Sequence, residues 1–172
     1  ADLAHATDHG YYFGVKLVRG AYMEKERDRA AAMGYPSPIQ PDKAGTDAEY
    51  DACLRLAIDA LGTPENPGHV GVVIGTHNEE STQLGVDLLG AQGWNPGDAP
   101  VWFAQLYGMS DFISFILGHH GFRVAKYLPF GPIVNVMPYL LRRAEENTSV
   151  AGQTGRELMM LRKESARRKA LR

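Results

Sequence analysis

One cysteine, Cys53, stands in 172 residues, so this chain alone forms neither an internal disulfide nor a multi-thiolate metal site. Cys53 falls inside a helical pattern and reads as inert packing. An excess of one charge is also missing: 18 Lys and Arg against 20 Asp and Glu leave a formal net charge of -2, which argues against a nucleic-acid binder with a broad basic face. Small anionic ligands stay open. No apolar run approaches the roughly 18 residues that cross a bilayer, and no leader pattern opens the chain, so a soluble protein is expected. There is no GxGxxG, no Walker loop and no G-x-S-x-G elbow, which removes classical nucleotide and serine-hydrolase sites. His119 and His120 lack a further ligand at metal spacing, so no metal is expected.

What is present suits a folded domain. Apolar residues make up 44% and charged residues 22%, enough to bury one core. The chain opens "ADLAHATDHG", without an initiator Met and with a helical pattern already under way, which reads as a fragment.

Four short apolar runs, at 13–22, 69–78, 99–108 and 122–131, are rich in β-branched or aromatic residues and end in Gly or a polar cluster, as buried strands do. Helical patterns fall at about 46–62, 79–92, 110–119, 133–147 and 154–171. The alternation predicts a parallel sheet with right-handed crossovers, an α/β fold. The second and third runs are nearly continuous in apolar residues, which predicts cover on both faces. Residues 31–45, with three prolines, read as one long irregular segment. A closed (β/α)₈ barrel needs about 200 residues or more. Four βα units therefore fit either an open doubly wound sheet or half of a barrel.

Each strand ends in polar or cationic groups: Arg19 with Tyr22, then Thr76, His77 and Asn78, then Gln105 with Tyr107, then Lys126 and Tyr127. Parallel α/β folds bind ligands at that end. After the fourth strand, "YLLRRAEEN" places Tyr139 and Arg143, Arg142 and Glu146, and Arg143 and Glu146 three or four residues apart on one helix surface. Two successive guanidinium forks suit an anionic ligand group. A solvated face of weak ion pairs satisfies the same spacing. The C-terminal "RELMMLRKESARRKALR" carries seven basic residues against two acidic ones, which suits an exposed helix or one that touches an anionic membrane surface.

In order along the chain, "KLVRGAY" (16–22), "GTHN" (75–78), "QLYGMSD" (105–111), "KYLPFGP" (126–132) and "YLLRRAEEN" (139–147) resemble proline dehydrogenase, the flavoenzyme of proline catabolism. The resemblance implies a distorted (β/α)₈ barrel with FAD at the carboxyl ends of its strands. Residues 1–172 would supply strands five to eight and the following helices as a single segment, the N-terminal half being absent. It assigns Arg142 and Arg143 to the proline carboxylate with Glu146 orienting them, and Tyr127, Tyr139 and Leu106 to the pocket around the pyrrolidine ring. Lys16, Val18, Gly20, Ala21 and Tyr22 match the flavin side of the first strand end here. Thr76, His77, Asn78 and Gln105 match further FAD contacts, and Lys43 the cofactor phosphates. Some relatives exchange Lys and Arg at positions 16 and 19, so either Lys16 or Arg19 reaches the flavin N5.

The reaction implied is hydride transfer from C5 of L-proline to flavin N5, giving Δ1-pyrroline-5-carboxylate, with electrons passing on to a quinone. The implied location is cytoplasmic with peripheral contact to the inner membrane, mitochondrial in a eukaryote. In the family, the N-terminal half adds a lysine to the substrate site and an aspartate near the flavin. Neither is here, so the chain is expected to be inactive until an N-terminal half or a second copy completes it. Two other readings fit the residues: a Schiff-base lyase of the aldolase type using Lys16 or Lys126, and a non-catalytic half-barrel that self-associates.

Overall fold

A computed structural model of the chain describes residues 2–20, 22–149 and 153–170, and the side chains of 2–20, 22–141 and 158–170. Two compact units are present, Ala1–Leu128 and Pro129–Arg172. In the first, the elements run α1 (Asp2–Asp8), β1 (Phe13–Leu17), α2 (Met23–Met33), α3 (Lys43–Asp59), β2 (Gly62–Thr63), β3 (Asn66–Pro67), β4 (Val70–Gly75), α4 (Glu79–Ala91), β5 (Val101–Leu106), α5 (Asp111–His119) and β6 (Val124–Tyr127). The second holds α6 (Ile133–Ser149) and α7 (Gln153–Ala170).

The main sheet has the order β1-β4-β5-β6, every pair parallel. Each new strand is added beside the last, with no reversal of direction across the sheet. Among the described residues that order contains no switch point of the kind at which a doubly wound sheet reverses. Parallel pairing sets Lys16 beside Val73 and Val73 beside Trp102, and it sets Leu17, Ile74 and Phe103 side by side. Because the pleat alternates, the first row lies on one face and the second on the other.

The second row is the core. Val72, Ile74 and Phe103 pack with Leu54 and Ile58 of α3 and with Ile113 and Leu117 of α5, all nearly inaccessible. Burying each such side chain stabilises the fold by about 1.5–3 kcal/mol. Helix α4 comes close to the sheet at Gly85, where a Cβ would stand 3.0 Å from Ile74 Cδ1 and 3.4 Å from Phe103 Cε1. The opposite face of the strands is only partly covered, and Trp102 is 43% exposed there. The expectation of cover on both faces is thus corrected: within Ala1–Leu128 the helices α3, α4 and α5 lie on one side.

Local signals explain the element boundaries. Asp42 caps α3 by accepting from Gly45 N at 2.7 Å, and Asn78 caps α4 by accepting from Ser81 N at 3.0 Å. Glu79 and Glu80 then favour the positive end of the α4 dipole. Helix α2 stops at Gly34, whose φ of 74° is the left-handed conformation that ends helices. The predicted irregular segment 31–45 is corrected by α2, which runs to Met33, and by α3, which begins at Lys43; only 34–42 between them is irregular. The β2–β3 hairpin went unread because two-residue strands leave no periodicity. Pro138 lies inside α6.

Gly75 and Gly90 offer opposite tests of packing. A Cβ on Gly75 would stand 2.9 Å from both Leu17 O and Val18 Cγ1, whereas one on Gly90 in α4 would meet nothing within 4 Å. Gly75→Ala is expected to lower stability by about 1–3 kcal/mol. Gly90→Ala should raise it by about 0.5–1 kcal/mol through helix propensity. Denaturant titration of the two variants checks both signs.

Candidate active site

At their carboxyl ends the four strands sort their polar groups by face. Lys16 of β1 and, in register with each other, Leu106 of β5 and Tyr127 of β6 lie on the face away from α3, α4 and α5. Three inter-strand steps separate β1 from β6, about 14 Å in a flat sheet. Yet Lys16 Nζ sits 5.5 Å from the centroid of the Tyr127 ring. The two side chains reach toward each other over the uncovered side, and an ammonium over a phenol face is held by the ring quadrupole. Among the described residues, Lys16 makes no ion pair.

Arg19 goes the other way. It ion-pairs with Asp47 of α3, donates from Nη2 to Ser81 Oγ of α4 at 2.6 Å, and holds its guanidinium carbon 3.9 Å from the centroid of the Tyr50 ring. Ser81 Oγ donates onward to Asp51 Oδ1 at 2.6 Å. Lys43 also ion-pairs with Asp47 and is otherwise largely exposed. Burial works to raise the Asp47 pKa, but hydrogen bonds from Lys43 and Arg19 outweigh it and hold the carboxyl below its ordinary 3.8. Burial pushes the Tyr50 hydroxyl up to about 12, so it stays protonated.

The remaining predicted residues divide between structure and rim. Thr76 is buried and accepts from Asn78 N at 3.1 Å, while Asn78 is spent on capping α4. Gln105 is buried on the helix side, where its Oε1 accepts from Ser114 Oγ at 2.9 Å. His77 Nδ1 lies 3.0 Å from Ser110 Oγ, joining the loops after β4 and β5. Val18 is exposed beyond β1, and Gly20 has φ 77° with no atom within 4 Å of where a Cβ would stand. Tyr22 is exposed and also left-handed at φ 59°. Lys126 donates to Met109 O at 2.6 Å and ion-pairs with Asp111 at 2.8 Å. Tyr139 is half-buried on α6. Ala21 and the side chains of Arg142, Arg143 and Glu146 lie outside the described residues.

The sequence profile of proline dehydrogenase matches residues 1–156. The chain belongs to the proline dehydrogenase family. It is 44% identical over 98% of its length to proline dehydrogenase 1, mitochondrial, of Caenorhabditis elegans, covering 27% of that protein. To the human protein of the same name it is 42% identical over 97% of its length, again 27% of the relative. It is also 42% identical over 97% of its length to hydroxyproline dehydrogenase of Xenopus laevis, 35% of whose chain it covers. The chain therefore spans about a quarter to a third of these relatives. Among solved structures it is similar to proline utilization A from Bdellovibrio bacteriovorus inactivated by N-propargylglycine, with TM-score 0.73 and 29% identity, over 85% of this chain and 14% of that one. A proline utilization A with proline bound in remote sites gives TM-score 0.66 at 26% identity, over 83% of this chain and 14% of that one.

Sequence reasoning missed the partners of these residues more than the residues themselves. Asp47, Tyr50 and Ser81, which hold Arg19, and Asp51, which accepts from Ser81, sit on helices already predicted, but nothing in their own stretches marks them as partners. Ser110 was equally hidden: it precedes α5 with φ 51°, makes no side-chain cap, and turns its hydroxyl to His77. A non-glycine residue in that conformation is uncommon and clusters at functional loops.

The Asp47 carboxyl carries a pH signature. A lowered folded-state pKa contributes stability above the unfolded value of about 3.8 that is lost as pH falls through the folded value. Asp47→Asn is expected to cost about 1–2 kcal/mol at neutral pH, and the difference from wild type should shrink below about pH 4. Urea unfolding at pH 7 and pH 3 reads this directly.

Proposed function

We propose that this chain is the carboxyl-terminal half, strands five to eight, of a (β/α)₈ barrel that oxidises L-proline to Δ1-pyrroline-5-carboxylate with FAD. The approach of Lys16 to Tyr127 across the full width of the sheet carries this reading. Side chains of the two outer strands that meet over one face favour a curved sheet of the kind that closes into a barrel, and membership of the proline dehydrogenase family favours the chemistry. Trp102 in the first unit, and separately Phe130, Ile133 and Val134 in the second, are large apolar side chains left well exposed, which in each unit favours further protein.

The residues present fit a flavin. Lys16 is a cationic donor on the uncovered face, Leu106 and Tyr127 form an apolar wall beside it, and Gly20 leaves open backbone at the strand exit. FAD, when bound, supplies at its N5 the acceptor for the C5 hydride of the substrate. Lys16 would hold the cofactor with a fixed positive charge, and a preorganised charge of that kind costs no reorganisation during reaction. In the same reading, as the family resemblance implies, Arg142 and Arg143 bind the substrate carboxylate, Glu146 orients them, and Tyr127, Tyr139 and Leu106 each take a role toward the pyrrolidine ring. A desolvated arginine–carboxylate bond contributes about 1.5–3 kcal/mol, enough to favour an imino acid carrying that group.

The N-terminal half of the barrel is the partner this reading requires, with a quinone as the final acceptor and a mitochondrial location in a eukaryote, as in relatives named mitochondrial. No helix among the described residues is long and apolar enough to cross a membrane. A Schiff-base mechanism at Lys126 is disfavoured by that lysine's ion pair with Asp111.

Joined to an N-terminal half, the protein should be yellow and reduce a quinone analogue with proline. Arg143→Met is expected to lower kcat/KM for proline by at least about 100-fold with flavin content retained. Steady-state kinetics and the flavin absorbance spectrum together decide this, and unaltered proline kinetics would remove the carboxylate clamp.

A further inference from the structure

Arg19 spends its guanidinium on the helix side of the sheet. It ties the segment leaving β1 to Asp47 on α3 and to Ser81 in the first turn of α4, with Tyr50 against its flat face. Hydrophobic stability alone does not favour such a cluster. Desolvating a guanidinium and its carboxylates is costly, and Arg19 Nε is buried with no hydrogen-bond partner. What the cluster provides is a fixed geometry for the strand exit.

Lys16 is the penultimate residue of β1, just before that exit. Among the described residues β1 is an outermost strand, with β4 as its one neighbour in the sheet. The contact with β4 is close at Gly75, where Leu17 O and Val18 Cγ1 each stand 2.9 Å from where a Cβ would be. Lys16 immediately precedes that contact, and Arg19 follows it. Two constraints from opposite directions therefore bear on the same three residues of backbone.

Resting on the reading of Lys16 as the donor beside the flavin, we propose that Arg19 is a positioning residue: it anchors the β1 exit to α3 and α4 and so sets where the Lys16 ammonium stands. It does not itself touch the cofactor, contrary to the role that the family resemblance offered it.

The test uses the complete polypeptide, chain plus N-terminal half, in four forms: wild type, Lys16→Met, Arg19→Met and the double variant. FAD dissociation constants and the midpoint potential of the bound flavin are measured for each. Each single change is expected to weaken FAD binding by about tenfold and to shift the potential in one direction. The double variant should be no worse than Lys16→Met alone, because residues acting through one another are not additive. Arg19→Lys should restore part of the loss. Ser81→Ala, which keeps the ion pair with Asp47, should move the potential the same way by less, and it decides the matter if Arg19→Met fails to fold. Additive losses, or an unchanged potential in Arg19→Met or, in its stead, Ser81→Ala, would overturn the positioning role. A wild type that stays colourless overturns the flavin reading and this role with it, whereas a yellow wild type with additive variants overturns this role alone.

Discussion

The pleat of four parallel strands is the constraint on which the rest depends. Alternation sends each neighbouring side chain to the opposite face, and in this sheet one face is closed by α3, α4 and α5 while the other holds Lys16, Leu106 and Tyr127. A one-residue slip of β1 against β4 would move Lys16 into the core and Leu17 out of it. Register is therefore chemistry here. The apolar row of Val72, Ile74 and Phe103 supplies the energy that fixes it.

Much of the fold was legible because its signals are local. Five helices and four strands were placed within a few residues, since apolar periodicity, the caps at Asp42 and Asn78 and the glycine stops are all written in short stretches. Helix α2 escaped because "MEKERDRAAAM" has little apolar contrast and buries only Ala30. Cover on the strands was misjudged for a plainer reason. Continuous apolar runs show that a strand carries apolar side chains on both faces, but not that helices of the same unit cover both.

What the sequence offered for the candidate site was a set of strand-end positions, without the partners each side chain takes. Lys16 and Arg19 are three residues apart and carry the same charge, so the resemblance left open which of the two faces the cofactor. Pleating sends Lys16 to the uncovered side, while Arg19, already past the end of β1, turns back to Asp47 and Ser81 on elements far away in the chain. Asn78 and Gln105 show the same limit. Each has a polar amide at a strand end, and each spends it on an internal hydrogen bond, Asn78 on its helix cap and Gln105 on Ser114. Pair contacts between distant segments carry such distinctions, and no single stretch records them.

The order of pairing within the sheet also bears on how the chain assembles. Phe103 pairs with Val124, Val72 with Val101, and Phe13 with Val70, so the contour between partners lengthens steadily from one edge of the sheet to the other. Loop-closure entropy grows with that contour. The cheapest closure joins β5 to β6, and the dearest brings in β1 across α2, α3 and the hairpin. The strand bearing Lys16 is thus the first of the four to be synthesised and the least favoured to dock early. Until α3 and α4 stand in place with Asp47 and Ser81, nothing on the helix side waits to receive it.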